Sequence, residues 1–202
     1  SHQSVRDIAL LRCVPGLEMI EPATPAMTAK ALEYATDRAA GSVYLRLVNI
    51  PMELPFADLE VGDMQPGHGY ELLKTGEDVV LIGHSPVLLA EACAAAEALK
   101  AAGVGMKVVH LPWLNQVDAN WLKQAVGESR LLVTLDNHYM DGGAGEMVLR
   151  AAGEASLLHG RKALCLGLRE VPACGKNDEV LRHHQLDAGS IQAAVQKALA
   201  AK

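Results

Sequence analysis

A glycine-rich turn is one stretch of this sequence whose residue types suggest chemistry. Gly142-Gly143-Ala144-Gly145 follows a segment that predicts a strand and opens a segment that predicts a helix. Backbone N–H groups at a helix N-terminus can hold an anion, because the first turn leaves them without partners. The turn lacks the GxGxxG spacing of dinucleotide sites and the lysine of a P-loop. It therefore predicts either an anion-binding turn at Gly142, Gly143 and Gly145 or a tight turn that packs the helix close to the sheet.

Histidines lie at several predicted element ends. His138 follows the predicted strand 130–136, at the end of the strand where open α/β sheets bind ligands. It is a candidate proton shuttle, an interface residue or a hydrogen-bonded loop histidine. His84 follows the predicted strand 78–83 and is interpreted as a loop-capping residue. His183 and His184 are adjacent, and neighbours on a helix point about 100° apart, so we predict no metal site there.

His2 and Arg46 could each belong to a chemistry whose other groups lie elsewhere. His2 is of the residue type whose charge changes near neutral pH. Arg46 alternates with apolar neighbours on a predicted strand. A salt-bridged strand arginine and a guanidinium fork for a phosphate both explain it. Composition does not choose between them.

The composition excludes several classes of function. The formal net charge of −6 argues against nucleic-acid binding and against an anionic membrane surface. The four cysteines form no CxxC pair and predict reduced, mostly buried thiols. No apolar run approaches the ~20 residues of a membrane span. No signal peptide is visible either, so the cytoplasm is the expected location.

The predicted elements fall into two parts. A helix at 4–12, a strand at 17–20, a helix from Thr24 to about Ala40 and a strand at 43–47 make up the first. Residues 49–69 contain three prolines and no lasting periodicity, which is typical of a linker. Strands then alternate with helices to the C-terminus. That alternation predicts a mainly parallel sheet with helices on both faces.

Several stretches together resemble the transketolase family. The stretch SHQSVRDIALLRCVPGLEMIEPA resembles the late part of that family's pyrimidine-binding domain, and GSVYLRL resembles the last strand of the same domain. The family's C-terminal domain resembles LPWLNQVDANWL, LVTLDNHYMDGGAGEMV and the ending PACGKNDEVLRHHQLDAGSI. These stretches keep the family's order along essentially the whole chain.

The resemblance implies a domain division and a fold class. Residues 1–50 would be the C-terminal end of the pyrimidine-binding domain, 51–69 a linker and 70–202 the transketolase C-terminal domain. The expected fold is an α/β chain. Its C-terminal domain would have three α/β/α layers around a mainly parallel sheet, preceded by the tail of another α/β domain.

The resemblance also implies roles for individual residues. His2 matches an active-site histidine near the thiazolium of the cofactor and the sugar. Arg46 matches the arginine that grips the sugar phosphate. In the complete enzyme, thiamine diphosphate cleaves a ketose phosphate and passes a two-carbon ketol unit to an aldose phosphate. The C-terminal domain chiefly supports a homodimer.

The cofactor groups of the family are expected outside this sequence. The activating glutamate and the GDG…N motif that holds Mg²⁺ and the diphosphate should lie upstream of Ser1. We therefore expect neither thiamine diphosphate nor Mg²⁺ on this chain alone, and no activity from it. The implied partner is the missing N-terminal half, as a preceding segment or a separate subunit.

Other interpretations stay open from the sequence. Both 1-deoxyxylulose-phosphate synthase and the β subunit of 2-oxoacid dehydrogenases share this C-terminal architecture, so the chain could be part of either. A stand-alone dimerisation or anion-binding module, using the turn at Gly142 to Gly145, is a non-catalytic alternative.

Overall fold

The N-terminal part of the chain holds two short strands and two helices. A computed structural model describes residues 5–201 of the protein. In chain order the elements are α1 (Asp7–Leu11), β1 (Glu18–Ile20), α2 (Pro25–Asp37) and β2 (Val43–Leu45). The two strands pair in parallel, with Glu18 opposite Val43. The other edge of β1 bonds to a later segment, since Leu114 donates to Met19 and Glu21 donates to Pro112. Backbone hydrogen bonds thus tie the N-terminal part to the rest of the molecule.

A five-stranded sheet forms the larger part. Its elements are β3 (Tyr70–Lys74), β4 (Val79–Gly83), α3 (Pro86–Ala101), β5 (Met106–His110), α4 (Ala119–Val126), β6 (Leu131–Tyr139), α5 (Ala144–Glu154), β7 (Lys162–Leu168), α6 (Asn177–His183) and α7 (Ala188–Ala200). The strand order is β3-β5-β4-β6-β7. All neighbours are parallel except the edge strand β3, which runs antiparallel to β5.

Helices cover both faces of this sheet. Successive strand residues point to opposite faces, and both faces are apolar here. Val79 and Leu81 of β4 pack in one cluster with α3 and α7. Val80 and Ile82 of the same strand pack in a second cluster with α2, α4 and α5. The result is a three-layer arrangement with the sheet in the middle.

The helices begin where the sequence supplies caps. The side chain of Thr24 accepts from the N–H of Met27, and Pro25 occupies the first position of α2. Asp118 and Asp187 accept in the same way at the starts of α4 and α7. These caps satisfy N–H groups that helical bonding leaves free.

The predicted fold class is confirmed, because the structure is a mixed α/β fold with a mostly parallel sheet flanked by helices. The sequence prediction missed β3, and it ended β6 three residues early. Residues 46–69 form no helix or strand. The division at residues 50 and 69 stays a prediction.

Among residues 5–201, every helix is too short or too polar to cross a lipid bilayer.

Candidate functional site

Five charged side chains meet at the boundary between the two parts of the chain. They are Asp7, Glu21, Arg46, His84 and Asp136, each at most 9% exposed, and we call them the buried ion cluster. Glu21, Arg46 and His84 directly follow the parallel strands β1, β2 and β4. Asp136 follows Leu135, the last residue of β6 that pairs with β4. Ligand sites of open α/β sheets form at such strand ends, so the position itself marks a candidate site.

Arg46 is held on several sides. Its Nε donates to Asp7 Oδ2 at 2.8 Å, and its Nη1 lies 2.9 and 3.0 Å from the two carboxylate oxygens of Glu21. Its Nη2 donates to the carbonyl oxygen of Asn137 at 3.1 Å. Burial opposes its charge, but the two carboxylates outweigh burial and raise the pKa of Arg46. The plane of the guanidinium is therefore fixed by groups from three separate segments.

His84 lies between two carboxylates. Its Nδ1 is 2.6 Å from Glu21 Oε2, and its Nε2 is 3.0 Å from Asp136 Oδ1. Only the doubly protonated ring can donate to both oxygens. Burial alone would lower the pKa of His84, but Glu21 and Asp136 outweigh burial and raise it to about 9. His84 is thus an imidazolium at neutral pH.

Glu21 joins the two cations. Its side chain is fully buried, where desolvation disfavours the carboxylate. His84 and Arg46 outweigh that effect and lower the pKa of Glu21. Removing this one carboxylate would leave two buried cations short of a partner.

His110, next to this cluster, stays neutral. Its Nε2 lies 2.9 Å from the carbonyl oxygen of Glu21. Burial lowers the pKa of His110 to about 4, and the positive charge of His84 acts in the same direction. Of the two histidines that contact Glu21, His84 is therefore charged and His110 is neutral at neutral pH.

The glycine-rich turn binds carboxylates of its own chain. The N–H of Gly145 lies 3.0 and 3.2 Å from the two carboxylate oxygens of Asp136. The N–H of Gly142 donates to Glu146 Oε2 at 2.7 Å. A negative group thus sits at the N-terminus of α5, where the helix dipole favours it. An external anion at Gly142, Gly143 and Gly145 stays a prediction, and it would have to compete with these two side chains.

Glycine at position 145 leaves room for the carboxylate of Asp136. A Cβ atom there would lie 2.4 Å from Asp136 Oδ2 and 2.6 Å from Thr134 Oγ1. We expect Gly145→Ala to lower the free energy of unfolding by about 1–3 kcal/mol, the usual cost of overpacking a buried site. Urea unfolding at neutral pH measures it.

Gly153→Ala is the matched control for that prediction. It lies in the same helix α5, and its Cβ would be 4.0 Å from the nearest atom, on Leu158. Alanine there should raise the free energy of unfolding by up to about 1 kcal/mol through helix propensity. Equal effects of the two substitutions would show that Asp136 does not fill the space over Gly145.

His138 connects α1 to β6. It is fully buried, its Nε2 accepts from the N–H of Ala9 at 3.3 Å, and its Nδ1 lies 2.6 Å from the carbonyl oxygen of Tyr139. The ring therefore carries its proton on Nδ1 and uses both nitrogens within the chain. Of the roles considered from sequence, these contacts fit the hydrogen-bonded residue; a proton-transfer role stays a prediction.

An open cleft borders the buried ion cluster. Its volume is about 790 Å³. Asp7 and Arg46 line it on one side, with the segment that follows β2. The start of α3 and the segment 172–186 complete it. A cleft of this size suits a small molecule.

The structure brings some of the predicted site residues together and separates others. Arg46 belongs to the buried ion cluster. Asp136 of the same cluster accepts a hydrogen bond from the N–H of Gly145 in the glycine-rich turn. His2 lies outside the described residues. Sequence reasoning missed Asp7, Glu21 and Asp136 and gave His84 only a capping role. The available signal was a charged residue directly after an apolar run of strand type, as in Ile20-Glu21 and Leu135-Asp136.

The fold and the site together define an α/β protein with a ligand-type cleft at the carboxyl ends of its parallel strands. Residues 68–191 match the transketolase C-terminal domain, and residues 1–50 match the transketolase pyrimidine binding domain. The chain therefore belongs to the transketolase family, whose complete enzymes depend on thiamine diphosphate.

Similar proteins include both parts of enzymes and whole enzymes. A putative transketolase C-terminal section of Methanocaldococcus jannaschii is 29% identical over 192 residues, which cover 95% of this chain and 58% of the relative. The 1-deoxy-D-xylulose-5-phosphate synthase of Mannheimia succiniciproducens is 30% identical over 203 residues, covering 98% of this chain and 31% of that enzyme.

A solved structure is also similar. It is described as a split gene transketolase in an inactive beta4 tetramer, with a TM-score of 0.81 and 29% identity. The match covers 98% of this chain and 62% of that chain. This chain thus spans less than two thirds of these proteins.

Proposed function

We propose that this chain is the C-terminal portion of a thiamine-diphosphate-dependent transketolase that transfers a two-carbon ketol unit between sugar phosphates. The main support is the likeness of 98% of the chain to part of a split gene transketolase. The ordered match to two transketolase domains adds to it. The missing N-terminal half would be a preceding segment or a separate subunit. The assembled enzyme would be a cytoplasmic homodimer.

Arg46 is the proposed phosphate-binding residue, and it lies on the wall of the cleft. A fixed guanidinium plane suits a phosphate, because its N–H groups point in set directions. Asp7 and Glu21 already accept from it within 3.0 Å. A phosphate would have to displace one of these contacts. His2 is the proposed catalytic histidine.

Thiamine diphosphate, when bound, supplies the carbanion that cleaves the ketose. Residues 5–201 do not by themselves fit this cofactor. The group of three possible metal ligands found among them contains two histidines, whereas Mg²⁺ prefers oxygen ligands. The buried carboxylate of Glu21 is already bound to Arg46 and His84. The cofactor would therefore be held by the missing half.

Ketol transfer from xylulose 5-phosphate, with added thiamine diphosphate and Mg²⁺, tests the proposal. We expect no turnover by the 202-residue chain alone. Activity should appear when the chain is joined to, or co-expressed with, the polypeptide encoded upstream. Intact mass of the native protein would distinguish a segment from a subunit. Turnover by the chain alone would overturn the predicted inactivity.

A 1-deoxyxylulose-5-phosphate synthase is the second candidate, favoured by the relative that is 30% identical across 98% of this chain. The same reconstituted protein discriminates between the two. Formation of 1-deoxy-D-xylulose 5-phosphate without ketol transfer would replace the transketolase proposal with the synthase.

A further inference from the structure

Three possible metal ligands meet on the surface beyond the end of β7. Glu170 lies two residues after that strand, and His183 and His184 lie at the end of α6. One ligand atom from each side chain falls within 4.8 Å of the other two. We propose that Glu170, His183 and His184 bind a divalent transition metal, with Zn²⁺ as the ion that best fits their chemistry.

This proposal departs from the sequence prediction of no metal site at the adjacent His183 and His184, because the fold adds Glu170 to the pair at the end of the helix. Helix α6 ends at His183, and His184 is its C-cap residue. Gln185 then takes a positive φ of 58°, which turns the chain away from the helix. The two imidazole rings lie 4.8 Å apart at 90° to each other. Glu170 reaches the pair across a loop, with its Oε1 3.4 Å from His183 Nε2.

The donor set indicates the kind of metal. Two imidazoles and one carboxylate bind Zn²⁺ in open sites that leave a fourth position for water or another ligand. The same set suits Co²⁺ and Ni²⁺, whereas Mg²⁺ and Ca²⁺ prefer all-oxygen sites. Zinc bonds of about 2.0–2.2 Å require the three atoms to move closer together. His183 and Glu170 can do so, because their side chains are 57% and 66% exposed.

His184 has a competing contact. Its Nε2 accepts from the N–H of Ala173 at 3.0 Å. Coordination through Nε2 would replace that hydrogen bond, and the released N–H lies in a partly exposed loop where water can reach it. Because Nε2 accepts in the existing hydrogen bond, this nitrogen carries no proton, and an unprotonated ring nitrogen is what a metal ion binds. His184 also lines the cleft, so a metal here would lie near its rim.

The alternative is a surface ion pair. A protonated His183 would pair with Glu170 without any metal, and exposed pairs of this kind contribute little to stability. The metal site predicts stoichiometric metal binding, whereas the ion pair predicts none.

Metal titration of the full chain tests the site. The protein is prepared without a polyhistidine tag, and Cys13 and Cys174 are replaced by serine because both are exposed and could bind zinc. Co²⁺ is titrated by absorption spectroscopy, and Zn²⁺ then competes for the bound Co²⁺. We expect one equivalent of metal per chain. Glu170→Gln and His183→Ala should each raise the Kd at least about tenfold, as even the loss of an outer-shell partner does.

His159→Ala is the matched control, because His159 is an exposed histidine outside the cluster. Its metal affinity should equal that of the parent, and circular dichroism should show that all variants are folded. The proposal is overturned if no stoichiometric binding occurs, or if both cluster variants bind as tightly as the control.

Discussion

Glu21→Gln should lower the free energy of unfolding by about 3 kcal/mol or more, because losing one partner of a buried ion pair costs about 3–5 kcal/mol. Glutamine keeps the shape of the side chain but removes the charge that both Arg46 and His84 face. His84 can release its proton in the variant, which limits the loss. Urea unfolding at pH 7 provides the measurement.

Glu33→Gln is the control for that prediction. Glu33 pairs with Lys30 at 3.0 Å on the surface, and its side chain is 49% exposed. Loss of such a pair should change stability by about 1 kcal/mol or less. A similarly small effect of Glu21→Gln would contradict the view that the buried ion cluster stabilises the boundary between the two parts.

A double-mutant cycle separates ion pairing from simple packing. Glu21 and His84 are in direct contact, so their effects should not add. Glu21→Gln should lower the free energy of unfolding less in a chain that already carries His84→Gln, because only one cation, Arg46, then loses its carboxylate partner. Additive losses would indicate that the glutamate acts through Arg46 or through packing alone.

The fold was largely predictable because its central strands are continuous apolar runs. Segments such as Val79–Gly83 are buried on both faces and alternate with helical segments. The edge strand Tyr70–Lys74 carries Glu71 and Lys74, is only partly buried, and contains an irregularity in its pairing between Glu71 and Leu73. The sequence YELLK is neither a continuous apolar run nor a strict alternation of polar and apolar residues, so this strand was not predicted.

The candidate site was less predictable because its contacts are long-range. His84 lies 63 residues from Glu21 and 52 residues from Asp136, and no local pattern joins them. Arg46 and the glycine turn were identified from residue type. Their partners inside the chain, Glu21 and Asp136, were not. Which charged groups face each other depends on the strand order β3-β5-β4-β6-β7, which the sequence alone did not provide.

Stability should fall as the pH rises from about 6.5 to about 9, because the unfolded chain then releases the proton that His84 still binds in the folded protein. In the unfolded chain a histidine has a pKa near 6.5, whereas in the folded protein the two carboxylates raise the pKa of His84 to about 9. A raised pKa means that the folded state binds the proton more tightly. This contribution is fully present below about pH 6.5 and is lost between there and about pH 9. Its size is on the order of 3 kcal/mol.

His84→Gln isolates this contribution from other groups. Burial raises the pKa of Cys93 to about 11, so this thiol also lowers stability in alkali. Cys93 is present in both chains, and its effect cancels in the difference between them. Urea unfolding from pH 6 to pH 10 should therefore show a gap between wild type and variant that narrows with rising pH. A gap that stays constant would mean that His84 does not change its charge in this range.

NMR titration of the histidine rings gives an independent test of the same charge states. The ring of His84 should stay protonated through neutral pH and titrate near 9, whereas burial holds the pKa of His110 near 4. Both residues contact Glu21, one through its carboxylate and one through its carbonyl. In Glu21→Gln the pKa of His84 should fall markedly, because the largest attraction on its proton is gone, while His110 should remain neutral. An unchanged titration of His84 would exclude Glu21 as the source of its charge.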